Sequence, residues 1–413
     1  MDSRVSASAA AQDQRKTMVV IMTAGAFILA LSLGVRTIFG GVLEPLSSEF
    51  GWPREIFSLS LAIQNLVWGL AQPAFGALAD RYGDRRALWL GFIFYVVGMA
   101  LTAVGTTPMA QHLSAGVLVG AGISGTAFGL VLAVVGRASS AENRSQNLGL
   151  VSALGGLGML FVPMLAALLT DLYGWRMMLW GMTLLLLPMA LFIPFLKAPD
   201  GAVGPTPTEE EARMGVGELL RCAFGHQSYL LLTLGFFVCG FHISFITVHF
   251  PAFVSERCGD PALGLQAIGI VGLMNVLGTY GAGQLGARVP KNYLLSIIYA
   301  LRALVILAFI AFPVTPTTVI LFAVAIGPLW LATVPLTSGL VAGMFGLRYL
   351  GVLYGFVFLS HQLGSFFGVW LGGVLYDAYG SYDLVWFVAI GLGVASAVAH
   401  LPVKEQELRL GPA

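Results

Sequence analysis

Charged side chains are scarce in this chain. They make up 10% of its 413 residues, whereas hydrophobic residues make up 57%; a soluble domain carries roughly a quarter charged residues. This composition excludes a soluble globular protein and indicates helices that span a bilayer. The 21 Lys and Arg residues occur singly or in small clusters, so the sequence lacks the basic stripe of a nucleic-acid-binding protein and predicts no nucleic-acid partner.

Cysteines and catalytic motifs are also scarce. The three cysteines are Cys222, Cys239 and Cys258, and their spacing matches neither a disulfide framework nor a metal site. We find no phosphate-binding loop, and no nucleophile or acid–base pair in a loop large enough to hold a catalytic site. The sequence therefore predicts no metal, no cofactor and no enzymatic activity.

Long apolar runs are abundant, and each can cross a hydrocarbon core of about 30 Å as a helix. We place twelve of them at Met18–Leu43, Glu55–Ala79, Ala87–Val104, Met109–Val135, Gln146–Thr170, Met177–Phe195, Tyr229–Val254, Leu263–Gly286, Tyr293–Phe312, Thr317–Gly343, Gly351–Tyr376 and Leu384–Leu401. A polar stretch over 197–227 separates the first six from the last six. We predict an all-α integral membrane fold with twelve transmembrane helices in two pseudo-symmetric six-helix bundles, residues 18–196 and 228–401, and with tails over 1–17 and 402–413.

The basic residues predict the orientation of the chain. Arg15 and Lys16 precede a first run that is too long for the core of a signal peptide, so we expect it to remain as the first helix. With the N-terminus inside, sixteen of the 21 Lys and Arg residues fall in cytoplasmic segments. The positive-inside rule then places both termini and the linker in the cytoplasm.

The two halves of the chain are related in sequence. Asp171, Tyr173, Gly174 and Trp180 follow the fifth run, and the same residue types recur 206 positions later as Asp377, Tyr379, Gly380 and Trp386. This recurrence indicates a duplicated six-helix unit. Two membrane repeats that face each other are typical of secondary transporters, which hold the substrate between them near the bilayer midplane.

The charge-dense segment 76–86, Gly-Ala-Leu-Ala-Asp-Arg-Tyr-Gly-Asp-Arg-Arg, resembles the loop 2–3 signature of the major facilitator superfamily. The twelve-span layout matches this family along essentially the whole chain. The resemblance implies that Asp80, Arg81 and Arg85 form a cytoplasmic latch, and that Gly76 allows close helix approach. The second half has Ala287 where the first has Asp80, so we expect the two latches to be unequal.

The exit of the first run indicates a branch of that family. Its sequence Phe-Gly-Gly-Val-Leu-Glu-Pro-Leu over 39–46, followed by Glu-Phe-Gly-Trp-Pro-Arg over 49–54, is similar to the monocarboxylate and oxalate/formate transporters. Animal members of that branch carry an aspartate and an arginine four residues apart on the eighth span. This chain has Asn275 and Thr279 there, so it looks closer to the bacterial members.

Arg36 is the main candidate for a substrate-binding residue. A guanidinium stays charged in a protein, and an intramembrane charge normally faces a wet cavity or an anion. Two interpretations remain open. Arg36 binds a substrate or acts in gating, or its side chain snorkels toward the external surface with Glu44 or a backbone carbonyl as partner.

Polar side chains on other spans complete the predicted substrate site. They are Gln64 and Asn65 on the second span, Asn275, Thr279 and Tyr280 on the eighth, and His361 and Gln362 on the eleventh. Such amides either orient a polar substrate or join helices by hydrogen bonds. The glycines that follow at 364, 368 and 372 favour a close-packing helix face.

His242 and His249 are the proton-coupling candidates, because they lie two turns apart on one face of the seventh span and histidine titrates near neutral pH. The alternative is a pair of neutral, hydrogen-bonded histidines. No carboxylate lies within a run away from the loop edges, so a coupled proton has to ride on a histidine, on the substrate or on Glu44. We expect Arg302 to snorkel at the cytoplasmic edge of the ninth span.

Together these features predict a monomeric secondary transporter of the bacterial inner membrane that moves a small organic anion, a mono- or dicarboxylate, by rocking its two halves. Proton coupling is a further expectation. The first alternative is an exporter of amphiphilic compounds such as a drug, siderophore or peptide. The second is a sensor on a transporter scaffold, which the short linker and tails disfavour.

Overall fold

The computed structural model describes residues 2–140, 143–197 and 216–406, without the side chains of 2–14, 144, 145, 216, 347 and 348. The described chain is helical, with no strand in these ranges. Its crossing helices are α1 (Arg15–Phe50), α2 (Arg54–Tyr82), α3 (Asp84–Val104), α4 (Pro108–Ala138), α5 (146–173), α6 (175–195), α7 (Gln227–Cys258), α8 (Pro261–Gly286), α9 (Lys291–Ala311), α10 (Pro316–Gly346), α11 (Tyr349–Tyr379) and α12 (Asp383–His400). The predicted all-α fold with twelve crossing helices is confirmed.

By length and hydropathy alone, ten stretches of the described chain qualify as membrane spans. Two of the twelve helices are therefore not evident by these criteria. One stretch, Gln146–Phe195, contains two helices because Gly174 adopts φ 79°, a left-handed conformation that favours glycine. The other case is α2, where Gln64, Asn65 and Gln72 lower the hydropathy. A polar helix inside a membrane bundle needs internal hydrogen-bond partners, and Gln64 and Asn65 have them.

Several predicted boundaries differ from the structure. A tail was expected over 1–17, but the first helix begins at Asp2, and α1 continues to Phe50 through one tighter turn over Thr37–Phe39. Within the expected linker 197–227, a short helix Val216–Gly225 buries Leu219 and Ala223. Residues 198–215 and 407–413 of the predicted linker and tail lie outside the described residues.

The first bundle comprises α1–α6 and the second α7–α12. They meet where α1 packs on α7, α2 on α11 and α5 on α8. Glycines allow the closest approaches: a Cβ at Gly40 would overlap the carbonyl oxygen of Thr247, and a Cβ at Gly272 would lie 2.5 Å from the carbonyl oxygen of Met159. The predicted close-packing face of α11 is confirmed, because Gly364, Gly368 and Gly372 all pack against α7.

The two bundles are joined at one end and diverge at the other. We call the end that carries Arg15 and Val403 the terminal face, and the opposite end, which carries Gly51 and Gly380, the distal face. Hydrogen bonds and ring contacts between the bundles run from the distal face to mid-depth. Nearer the terminal face, a Cβ on any of several described glycines of α2, α8 and α11 would meet no atom within 4 Å: Gly76, Gly281, Gly283, Gly351 and Gly355.

Candidate functional site

Arg36 lies at mid-depth between the two bundles. Its guanidinium donates to Asn65 Oδ1 on α2 at 2.7 Å and to Ser244 Oγ on α7 at 3.5 Å, and it lies 4.9 Å from the ring centre of Trp68. The buried Nε has no hydrogen-bond partner. Among the described residues no carboxylate pairs with Arg36, and Glu44 instead accepts from the hydroxyl of Ser48. The contacts of Arg36 are therefore with the bundle interface and not with the expected snorkelling partner.

The local course of α1 explains this placement. The helix tightens over Thr37–Phe39, where the Thr37 hydroxyl donates to the Gly34 carbonyl at 2.6 Å. The following Gly40 lets α1 approach the backbone of α7. Since Ser244 lies one turn before that contact, the approach brings its hydroxyl within reach of Arg36.

Asn65 connects Arg36 to the second bundle. Its side-chain oxygen accepts from Arg36, its amide nitrogen donates to the Leu61 carbonyl at 2.9 Å, and its backbone oxygen accepts from Gln362 Nε2 at 3.0 Å. Gln64 turns the other way and donates to the Ala115 carbonyl of α4 at 2.8 Å. The predicted residues Arg36, Asn65 and Gln362 thus meet in one hydrogen-bonded layer.

A small cavity lies beside this layer. Its volume is about 10 Å³, and its lining comprises Arg36, Phe39, Leu61, Gln64, Asn65, Ser244, Thr247 and Val248. That volume corresponds to about one water molecule. The Ser244 hydroxyl, which accepts from Arg36, and the unpartnered Nε of Arg36 make it suited to a hydrogen-bond acceptor such as a carboxylate oxygen. The Thr247 hydroxyl already donates to the Ile243 carbonyl at 2.7 Å.

A row of rings crosses the interface at the same depth. Trp68 on α2 contacts Phe358 on α11 edge to face at 5.4 Å between ring centres, and Phe358 stacks on His361 at 5.8 Å with planes 5° apart. His361 continues to Phe236 on α7 at 4.9 Å. The Nδ1 atom of His361 lies 3.0 Å from Gln362 Oε1, so this histidine is connected both to the ring row and to the polar layer.

The predicted residues of α8 do not join this layer. The hydroxyl of Thr279 donates to Asn275 Oδ1 at 3.0 Å, and the same oxygen accepts the backbone N–H of Leu331 at 2.9 Å. These contacts direct Asn275 to the irregular part of α10. Tyr280 is 71% exposed. None of the three residues contacts Arg36 in the described part of the chain.

The two proton-coupling candidates are buried inside the second bundle. His242 Nε2 lies 2.7 Å from the Ala389 carbonyl oxygen of α12. His249 Nε2 lies 2.7 Å from the Val369 carbonyl oxygen, and its Nδ1 lies 3.3 Å from the Tyr382 hydroxyl. A ring nitrogen that donates to a carbonyl fits a neutral imidazole, which is the arrangement of the alternative interpretation.

The predicted latch residues lie at the terminal face. Asp80 and Arg85 are exposed and make no ion pair among the described residues, whereas Arg81 lies 5.3 Å from the ring centre of Tyr82. The ion pair of this segment is formed by Asp84 with Arg137 of α4, within the first bundle. A Cβ at Gly76 would meet no atom within 4 Å, so the close helix approach that the resemblance implies for Gly76 is not made in this structure.

A network that the sequence analysis did not identify joins the bundles at the distal face. Asp377 of α11 accepts the backbone N–H groups of Arg54 at 3.0 Å and Glu55 at 2.7 Å, so it caps the start of α2. The Arg54 guanidinium pairs with Glu256 and donates to the Tyr382 hydroxyl at 2.6 Å. The recurrence of the Asp-x-Tyr-Gly motif was a signal that could have identified Asp377.

The pseudo-symmetric junction, between Asp171 at the end of α5 and the start of α8, lacks such a cap among the described residues. Asp171 is exposed and lines a distal cavity of about 320 Å³ between α1, α5, α7 and α8, together with Glu44 and Trp175. The N-terminus of α8 is instead capped by its own Asp260, which accepts from Ala262 at 2.9 Å. The two pseudo-symmetric junctions therefore differ.

Arg302 is not a surface residue, and the prediction that it snorkels at a membrane edge is wrong. Its side chain is 1% exposed in the core of the second bundle. It donates to the carbonyl oxygens of Leu329, at 3.0 Å from Nε, and of Trp330. These carbonyls are freed where α10 changes to a tighter turn at Gly327–Leu329, so Arg302 satisfies a break in a buried helix.

Two six-helix bundles, joined at one face and separated at the other around a polar layer at mid-depth, define the architecture of a secondary transporter. The sequence profile of the Major Facilitator Superfamily matches residues 25–333. The chain belongs to this family.

Individual relatives are similar over different lengths. The MFS-type transporter YcxA of Bacillus subtilis (strain 168) is 23% identical over 399 residues, 94% of each chain. The class C tetracycline resistance protein of Escherichia coli is 34% identical over 113 residues, 27% of this chain and 28% of its own. A D-xylose-proton symporter shares the fold, with a TM-score of 0.75 at 16% identity over 95% of this chain and 99% of its own. The monocarboxylate and oxalate/formate branch stays a prediction.

Proposed function

We propose that this transporter moves a small organic anion, a mono- or dicarboxylate, across the bacterial inner membrane, with the terminal face in the cytoplasm. The observation that carries the proposal is Arg36. A half-buried guanidinium without a carboxylate partner is costly unless it binds an anion or is fully hydrogen-bonded. Arg36 has two side-chain partners and a free Nε beside a small cavity.

The geometry supports alternating access around this residue. Arg36 belongs to the first bundle and contacts Ser244 of the second, so an anion bound there touches both bundles. The open glycine faces toward the terminal side support a path from the site to the face that we assign to the cytoplasm. Opening of the distal face requires the network of Arg54 and Asp377 to separate.

Uptake of labelled carboxylates into proteoliposomes tests the proposal. We expect Arg36→Gln to abolish uptake, because glutamine cannot neutralise the bound charge, while the variant still elutes as a folded protein in size-exclusion chromatography. Arg176→Gln is the matched control, since Arg176 is a distal surface arginine paired with Glu49, and it should transport normally. Wild-type uptake by Arg36→Gln would rule out the anion site.

Proton coupling forms part of the proposal. Within the described helices no Asp or Glu lies in the central turns, so a co-transported proton travels on the substrate, on His242 or His249, or on Glu44 near the distal face. The same uptake assay with and without an imposed pH gradient measures this coupling. Stimulation by a gradient that is acidic on the entry side supports symport, and equal rates with and without the gradient contradict it.

A second candidate function is export of amphiphilic compounds. It is supported by the partial similarity to the tetracycline resistance protein. Deletion of the gene distinguishes the candidates. Increased sensitivity to hydrophobic toxicants, together with unchanged growth on organic acids, would favour export, whereas loss of growth on an acid favours the anion transporter.

A further inference from the structure

The environment of Arg36 restricts the kind of anion that fits, and this inference rests on the proposed function. Arg36 provides one positive charge at the bundle interface. The other buried cation at mid-depth, Arg302, lies inside the second bundle and is occupied by the carbonyl oxygens of Leu329 and Trp330. Among the described residues, therefore, one cation at this site is available to an anion.

A second carboxylate on the substrate would lie against uncharged groups. The surroundings of Arg36 are uncharged: apolar side chains and Trp68, the amides of Gln64 and Asn65, and the hydroxyls of Ser244 and Thr247. Burial of an unpaired carboxylate against such a surface is strongly unfavourable. The site therefore favours a monoanion over a dicarboxylate.

The body of the substrate meets the ring row. From Arg36 the rings follow in the order Trp68, Phe358, His361 and Phe236, across the interface from α2 to α11 and α7. Trp68 and Phe358 form a ring contact between the bundles. One turn closer to the terminal face, a Cβ at Gly355 would meet no atom within 4 Å, so the half-buried Phe358 borders open space.

We propose that the substrate is an aromatic monocarboxylate, whose carboxylate binds Arg36 and whose flat ring packs against Trp68 and Phe358 once the bundles separate at this layer, since the cavity beside Arg36 has room for about one water molecule in this structure. Aromatic side chains bind flat rings by offset stacking or edge contacts in addition to area burial. A small aliphatic acid would engage Arg36 alone and leave the ring row unused. Phe358 is a specificity-determining residue in this arrangement.

The test compares affinities of benzoate, acetate and succinate for the purified full-length protein by isothermal titration calorimetry, with benzamide as the uncharged control. We expect benzoate to bind at least about tenfold tighter than acetate, and succinate and benzamide to bind more weakly than benzoate. Phe358→Leu should weaken benzoate binding about three- to tenfold, the range of one aromatic contact, and leave acetate binding unchanged. Phe358→Tyr keeps the ring and should retain the preference.

The matched control is Phe367→Leu on the same helix, since Phe367 is 39% exposed and its ring contacts are with Phe237, Phe366 and Trp370. Three results would overturn the aromatic assignment even if binding still depends on Arg36. They are equal affinities for benzoate and acetate, tighter binding of succinate than of benzoate, and an equal loss of affinity for benzoate and acetate in Phe358→Leu. If Arg36→Gln leaves the affinity for every acid unchanged, the proposed anion site is refuted, and the aromatic assignment with it.

Discussion

Asp377 offers a sharp test of how the distal face is held closed. Its carboxylate belongs to the second bundle and accepts two backbone N–H groups of the first turn of α2, which belongs to the first bundle. These bonds exist only while the distal ends of the bundles are together. Replacement by alanine should therefore destabilise the distal-closed state and leave the distal-open state unchanged.

The size of the effect follows from helix capping. Removal of a capping carboxylate costs about 1 kcal/mol, within a range of about 0.5–2 kcal/mol, and Asp377 is exposed, which favours the lower part of that range. A change of about 1 kcal/mol alters an equilibrium about fivefold. Asp377 also lies at the C-terminal end of α11, where a carboxylate opposes the helix dipole, so its loss should not unfold the protein.

Distance measurements between spin labels provide the assay. One label replaces Met109 at the distal end of α4 and the other replaces Phe312 at the end of α9, since both side chains are 64% exposed. The accessible Cys222 and Cys258 are first replaced by serine, whereas Cys239 is buried and stays. Asp377→Ala should shift the ratio of short to long distances about fivefold toward the long ones.

Asp171→Ala is the matched control, because Asp171 is the equivalent residue of the first repeat and makes no hydrogen bond or ion pair across the interface in the described chain. We expect it to leave the distance distribution unchanged. The capping argument is refuted by an unchanged ratio in Asp377→Ala, and equally by the same shift in both variants.

Two further predictions concern the terminal face and the second bundle. Asp80→Asn should shift labels across the terminal face toward the open distance, because the resemblance gives Asp80 a latch role that exists only when this face closes; an unchanged distribution would contradict that role. Arg302→Met should lower the thermal unfolding temperature through a loss of about 2 kcal/mol or more, since the Leu329 and Trp330 carbonyls lose their donor. Anion affinity of Arg302→Met should equal that of the wild type, and a selective loss of binding with normal stability would argue against a structural role.

The fold could be predicted from the sequence because its signals are local. Long apolar runs, turn residues and the recurrence of the Asp-x-Tyr-Gly motif need no knowledge of tertiary contacts. The glycine spacing of α11 likewise predicted a packing face, since a four-residue period places side chains on one side of a helix. Arg36 could be identified as a candidate because a charged residue within an apolar run is unusual on whichever face of the helix it lies.

The partners of these residues could not be predicted, because they lie on distant helices. Asn275 and Gln362 are both amides on central spans, yet one contacts α10 and the other α2. The difference depends on helix rotation, which composition does not fix. Arg302 was misjudged for a related reason: its role follows from the irregular turn of α10 at Gly327–Leu329, and the ninth span itself carries no sign of that break.

The position of Arg36 has a thermodynamic consequence. Its hydrogen bond to Ser244 joins the two bundles, and the same guanidinium is the proposed anchor of the anion. A ligand that takes over this hydrogen-bonding capacity also changes the free energy of bundle separation, and by linkage the separation changes the affinity for the ligand by the same factor. Substitutions at Arg36 or Ser244 therefore alter the affinity for the ligand and the conformational equilibrium together.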